Sequence, residues 1–491
     1  MRRHVAHTPT SPGPLHPGLS RRDALWRLGG GIGGLALSSM LLEESLADTP
    51  DRTTLNGGLH HRAKAKRVIQ LFMNGGASQM DLFDYKPELF RRHGQPFDPG
   101  DGQRVEAATS EPGKVLKPVF EFKQHGQSGR WVSSLLPHLS KHVDSLAFMM
   151  SMASKTNVHG PGSFMMNTGF LLPGFPSFGA WVSYGLGNLT DNLPAFVVLP
   201  DTKGLPYNQK GNFTSGFLPI NHQATLIQRS AERNAFLLHD LATPDSVDFT
   251  PKAARDGLDL LRSLNHQHSE RNNHDPRLEA RILAYELAAK LQLSAPEAFN
   301  IDSESPATLQ LYGVNDPVTD DFGRRCLLGR RLLERGVRFV QIWSGAGGPT
   351  GNWDNHANIE KELPPMCAAT DKPIAGLLAD LASRGLLEDT LVLWNTEFGR
   401  MPFSQSSTGR DHNGGTFVGW MAGAGVRGGA SHGESDPWSW KSARDTAYSY
   451  DLHATALHLL GIDHERLTFR HNGVDRRLTD VHGEVIHSLL A

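Results

Sequence analysis

Cysteine is nearly absent from this chain: Cys326 and Cys367 are the only two in 491 residues. Two thiols in helical-looking segments make no disulfide framework, so both read as small buried apolar residues. An excess of one charge is lacking as well. Lys and Arg total 49 against 51 for Asp and Glu, a formal net charge of −2, and no long block of like charge breaks the balance, which argues against a nucleic-acid partner. Internal repeats are missing. No apolar run reaches the ~20 residues that a membrane span needs, so no transmembrane segment is expected in the mature chain. What is present is ordinary globular composition, with 38% hydrophobic residues, 20% charged, 51 Gly and 30 Pro. At ~150 residues per domain, the length gives a soft prior of about three domains.

Residues 1–47 have the character of a targeting leader and are set apart from the fold. Ser20-Arg21-Arg22-Asp23-Ala24-Leu25 carries paired arginines, Leu28 to Leu42 is an uncharged run of 15 residues with five glycines, and Ser45-Leu46-Ala47 offers a small-x-small cleavage site. Paired arginines ahead of a weakly apolar stretch resemble a twin-arginine signal. The expectation is a periplasmic or secreted protein that meets the twin-arginine translocase during export. Residues 48–66 form a polar, basic lead-in, and 67–491 remain for the folded domain.

That domain alternates compact apolar runs with amphipathic segments. Val68 to Met73, Leu146 to Met150, Ala195 to Leu199, Val337 to Trp343, Thr390 to Trp394 and Phe417 to Met421 read as buried strands. Helical spacing recurs over 226–242, 253–264, 276–293, 322–336, 371–385 and 450–461. Strands hydrophobic on both faces, separated by helices, predict an α/β fold whose mainly parallel sheet is sandwiched by helices. The stretch from about 222 to 320 reads as a helical insertion, and its histidines (His266, His268, His274) have no consistent ligand spacing.

Residues suited to chemistry follow the strands. Asn74, Ser78, Asp81 and Asp84 come after the first, His159-Gly160-Pro161-Gly162-Ser163 after the second, and Asn352-Trp353-Asp354-Asn355-His356 after the run at 337–343. Asn395-Thr396-Glu397-Phe398-Gly399-Arg400 and Gly409-Arg410-Asp411-His412 follow the run at 390–394. In parallel sheets the working site gathers beyond the carboxyl ends of the strands. Carboxylates and imidazoles collected there suit a divalent ion such as zinc, manganese or calcium. Each residue alone also has a structural reading as a helix cap or turn former.

Long motifs carry a family resemblance. Through Gly75 to Pro87, Met166-Asn167-Thr168-Gly169, Glu397-Phe398-Gly399-Arg400, Gly409-Arg410-Asp411-His412 and Asp451-Leu452-His453-Ala454-Thr455, the mature chain is identified as a member of the bacterial family called domain of unknown function 1501. That family is grouped with the alkaline phosphatase and sulfatase superfamily. The resemblance implies that Glu397 stands where a metal-binding Asp is expected, and that His159 falls on the nucleophile position of the sulfatase signature. Three departures accompany it: no Cys or Ser occupies the nucleophile position, paired aspartates after the first strand are replaced by Asn74-Gly75, and a second metal ligand is replaced by Phe398. Asp81 could supply the missing early carboxylate, Asp354 and His356 are similar to a phosphatase Asp–His pair, and His412 matches the final phosphatase histidine.

The site expected from this resemblance has Asp354, His356 and His412 around one ion, with Asp81, His159 and Glu397 beside it or around a second. Arg400 and Arg410 are placed to hold a sulfate or phosphate. Metal-bound hydroxide is the simplest attacking group, with Ser78, Ser163 or His159 as candidate covalent nucleophiles. The implied function is a metal-dependent hydrolase of small-molecule or glycan sulfate or phosphate esters. The alternative is a catalytically inactive sulfatase-like protein that binds an anionic glycan or a cell-surface partner.

Overall fold

The computed structural model describes residues 59–491, apart from 101, 104, 106–108, 110, 191–192, 231–234, 239–250, 406–407 and all of 272–296 except 278 and 282. The leader and most of the lead-in lie outside the described residues, as does most of the helix expected over 276–293.

The strands that build the site are β1 (Arg67–Met73), β2 (Leu146–Met152), β3 (Phe196–Leu199), β4 (Thr225–Ser230), β5 (Ala235–Leu238), β6 (Phe339–Ser344), β7 (Thr390–Asn395), β8 (Gly399–Ser404), β9 (Arg410–Asn413), β10 (Phe417–Gly423) and β11 (Ser431–His432). The longer helices are α1 (His159–Thr168), α2 (Phe178–Leu186), α3 (Pro251–Arg271), α4 (Asp320–Glu334), α5 (Ile359–Ser383) and α6 (Ser449–Leu459).

Nine strands form one sheet in the order β11-β2-β10-β7-β1-β6-β3-β4-β5. From β7 through β4 every pairing is parallel, whereas β10 runs antiparallel to both of its neighbours and β5 is antiparallel to β4. The central strand shows why the sheet is covered on both sides. Ile69, Leu71 and Met73 join one buried cluster with α4 and α5 residues such as Leu328 and Leu377, while Val68 and Phe72 join another with Trp181 of α2 and Leu457 of α6. Alternate side chains point to opposite faces of a strand, so a strand apolar at every position needs helices on both. Both cysteines are free and fully buried within the first cluster.

Two expectations need correction. Of the helix expected over 226–242, the described residues 226–230 and 235–238 are instead sheet, because Thr225 and Leu226 of β4 pair with Val197 and Val198 of β3, and pairing to an open sheet edge outweighs a local helical spacing; the rest lies outside the described residues. The segment from about 222 to 320 therefore begins as an extension of the sheet, and its described helical part starts at Pro251 with α3. The helix expected over 371–385 also starts earlier, at Ile359, where the Asn358 side chain accepts the Lys361 N–H.

No described helix is long and apolar enough to cross a membrane. Because β1, β2, β6 and β7 share one direction, their carboxyl ends open at one edge, where the segments after them meet.

Candidate metal centre

The edge is assembled around the end of β7. Thr396 Oγ1 donates to the Met73 carbonyl at 2.7 Å and accepts the Ala77 N–H at 3.0 Å, which ties the exits of β7 and β1 together. The next residue, Glu397, is fully buried and accepts the Gly75 N–H at 2.9 and 3.2 Å on its two oxygens. Gly75 has a φ of +122°, and a Cβ there would stand 2.6 Å from the Asp354 nitrogen and 2.8 Å from that of Trp353. Only glycine lets the 353–354 backbone approach this closely. Trp353 donates its backbone N–H to Asn74 at 3.0 Å and its indole N–H to Ser344 Oγ at 3.0 Å, so Asp354 is delivered to a fixed point. The β8–β9 hairpin pairs Arg400 with His412. A Cβ at Gly409 would lie 1.6 Å from the His356 carbonyl, which brings that residue against the hairpin.

Four side chains converge. One ligand atom from each of His159, Asp354, His356 and His412 lies within 4.8 Å of all the others. His356 Nε2 is 2.7 Å from Asp354 Oδ1 and 2.7 Å from His412 Nε2, which is itself 3.2 Å from Asp354 Oδ1. His159 Nε2 approaches Asp354 Oδ2 at 3.2 Å but without hydrogen-bond alignment, so it is buried and unpartnered. Donors around a zinc ion at ~2.0–2.1 Å stand about 3.3 Å apart, a value inside the range of these separations, which begins at 2.7 Å and stays within 4.8 Å.

Each imidazole is held from behind. His159 Nδ1 lies 2.7 Å from Glu397 Oε1, His412 Nδ1 2.8 Å from the Asn157 carbonyl, and His356 Nδ1 against Gln405 Oε1. These partners accept and do not donate, so each Nδ1 carries the proton and each Nε2 turns a lone pair inward. The Nε2 atoms of His356 and His412, 2.7 Å apart, need a positive charge between them, either a proton or a metal ion. Outward hydrogen bonding of this kind is the usual support of metal-binding histidine.

Electrostatics agree. Burial opposes ionisation of Asp354, but the surrounding imidazoles of His159, His356 and His412 and the Arg400 charge hold its carboxyl far below the usual carboxylate range. Burial, with Arg400 and His159 adding to it, pushes His412 down to about 4 against the pull of Asp354, so its ring is neutral at pH 7. For His159 burial is outweighed by Asp354 and Glu397, and its pKa rises. Tyr207, stacked on the His159 ring at 4.4 Å and 7° between planes, is pushed up to about 12 by burial and by the same two carboxylates.

A sequence model of the family described as protein of unknown function DUF1501 matches residues 65–490. The chain belongs to the DUF1501 family. No curated protein sequence matches this DUF1501 chain. Among solved structures it is similar to the lipoteichoic acid synthase LtaP from Listeria monocytogenes, with 11% identity, 87% of this chain and 78% of that one covered, and a TM-score of 0.37. It is also similar to the PsFucS1 sulfatase from Pseudoalteromonas sp. (13%, 91% and 73%, TM-score 0.35) and to the alkaline phosphatase from the Antarctic bacterium TAB5 (11%, 81% and 98%, TM-score 0.32). These likenesses are loose, so the chemistry of the DUF1501 centre has to come from its own side chains.

Of the six ligands expected from sequence, the structure gathers Asp354, His356, His412 and His159 and sets Glu397 directly behind His159. Asp81 is not among them. Its carboxylate is fully buried, takes Arg410 Nε at 2.6 Å and Nη2 at 3.1 Å, and accepts the Ser78 hydroxyl at 2.5 Å. Arg410 therefore turns inward, its remaining nitrogen donating to the carbonyls of Leu116 and Met401, and offers nothing to an anion. Arg400 is committed likewise, to the carbonyls of Gly76, Arg410, Trp353 and Gly75 and to Asp354 Oδ1 at 2.6 Å. Ser78 and Ser163 are fully buried, and Ser163 donates to Asn212 Oδ1 at 2.8 Å. Tyr207, Gln405 and the Asn157 carbonyl gave no signal in the sequence; no spacing rule connects them to the strand ends.

Proposed function

We propose that this chain is an exported, metal-dependent hydrolase of sulfate or phosphate esters, small-molecule or glycan. The single observation that carries the reading is that three imidazoles, each with Nδ1 against an oxygen behind it, turn Nε2 toward one carboxylate. His356, His412, Asp354 and His159 would hold the ion. A divalent cation bound there would polarise an ester oxygen and lower the pKa of a water. Glu397 keeps His159 in the tautomer that presents Nε2, and Arg400 fixes Asp354 by hydrogen bonds to its oxygen. Three imidazole nitrogens favour zinc over calcium, which takes oxygen ligands. The paired arginines at Arg21-Arg22 support export by the twin-arginine route and a periplasmic or secreted location.

A second reading has one observation in its favour: no cysteine stands in the cluster, and the candidate serines are buried and bonded elsewhere, Ser78 to Asp81 and Ser163 to Asn212. It makes the chain a sulfatase-like binding protein for an anionic glycan or a cell-surface partner. Elemental analysis of chain exported in its native host, with assays on aryl sulfate and aryl phosphate esters, separates the two. Turnover abolished by chelation and by His356→Ala is the expected result. Protein free of metal and inert on both esters would sink the hydrolase, and sulfated-glycan binding that survives His356→Ala without any turnover would establish the second reading.

A further inference from the structure

Phe398 is fully buried directly after Glu397, its ring 4.9 Å from that of His159 and 4.8 Å from that of His412. Two glycines make room for it. A Cβ at Gly76 would stand 2.8 Å from Phe398 Cε2 and one at Gly162 3.1 Å from Cδ1, so the ring fills its space closely. The ground beside two of the inward-facing imidazoles is thus hydrocarbon, which offers no donor to an ion.

A second cation would need its own donors, and the neighbouring carboxylates are committed. Glu397 has the Gly75 N–H shared between its oxygens and His159 Nδ1 on one of them. Asp81 is held by Arg410 and Ser78. The buried Arg400 guanidinium on Asp354 also leaves little negative charge for more than one divalent ion.

We infer that the centre holds one divalent cation and not two, and that Phe398 occupies the ground a second would need. This rests on the metal-site reading above. The test is manganese loading of the full chain, with bound metal counted per chain and examined by electron paramagnetic resonance. The expected result is one equivalent with an uncoupled six-line spectrum, lost in His356→Ala. A second equivalent giving an exchange-coupled spectrum would overturn the inference. Absence of any bound manganese or zinc would instead overturn the metal-site reading, so the two failures differ. Phe398→His offers a donor at the same place and is expected to raise the count to two; a folded variant that stays at one would show that Phe398 is not what excludes the second ion. Should that variant fail to fold, the wild-type count still decides the number of ions, and the smaller Phe398→Asn, expected to raise the count in the same way, decides the part played by Phe398.

Discussion

At the scale of single residues, Glu397 and Asp81 show how two buried carboxylates at one sheet edge take different work. Glu397 accepts the Nδ1 proton of His159 at 2.7 Å, and partners behind a ligand typically change metal affinity ~10–100-fold when removed. Glu397→Gln keeps the shape and weakens the acceptor. A zinc affinity reduced by that factor, measured by chelator competition, with an unchanged unfolding midpoint, is the expected outcome; unaltered affinity would make the Glu397 contact merely structural. Asp81 is different because its partner is an arginine with no exposure. Breaking a buried pair strands the remaining charge at a cost of ~3–5 kcal/mol. Asp81→Asn should therefore lower the free energy of urea unfolding by about that amount while the metal bound per folded chain stays the same. Loss of metal with little change in stability would put Asp81 back among the ligands.

Local elements carry the next level, and the turn after β1 is the most exposed to test. Gly75 combines a left-handed φ with a backbone approach that a methyl group would occupy, and its N–H holds Glu397. Gly75→Ala is expected to displace the 353–354 segment and with it Asp354, costing roughly 1–3 kcal/mol of stability and most of the zinc affinity; a variant with native metal binding would show that the turn does not set the ligand's place. Strand ends were legible because β1, β6 and β7 are apolar at almost every position and stop at Gly or Asn. That made Asp354, His356 and His412 readable as edge residues. The partners of those residues were not legible. Arg400 and Arg410 follow a strand as an anion clamp would, and sequence contains no sign that Asp354, Asp81 and backbone carbonyls absorb their donors. The strands β4 and β5 escape the sequence for the same physical reason: their apolar spacing fits a helix alone, and the free edge of β3 draws β4 into the sheet.

Over the whole molecule, two histidines away from the centre act through burial. His453, in α6, is fully buried and donates Nε2–H toward the Met166 carbonyl of α1 at 3.0 Å, and burial pushes its pKa down to about 4. His222, against Ser183 of α2 at 2.9 Å, is also lowered to about 4 by burial. Both are neutral in the folded chain at pH 5, whereas an unfolded chain takes up protons at ~6.5. Between those values the unfolded state binds more protons, so stability is full above pH 6.5 and falls as pH drops toward 4. A displacement from 6.5 to about 4 is worth on the order of 3 kcal/mol per histidine. Because the two side chains clamp helices against one face of the sheet, the loss is expected in cooperative unfolding and not in the centre alone. His453→Gln retains a donor for Met166 without a titrating ring. Urea unfolding at pH 7 and at pH 4.5 should show a smaller difference between the two conditions in this variant than in the wild type; an identical difference would mean that His453 takes no part in the acid sensitivity.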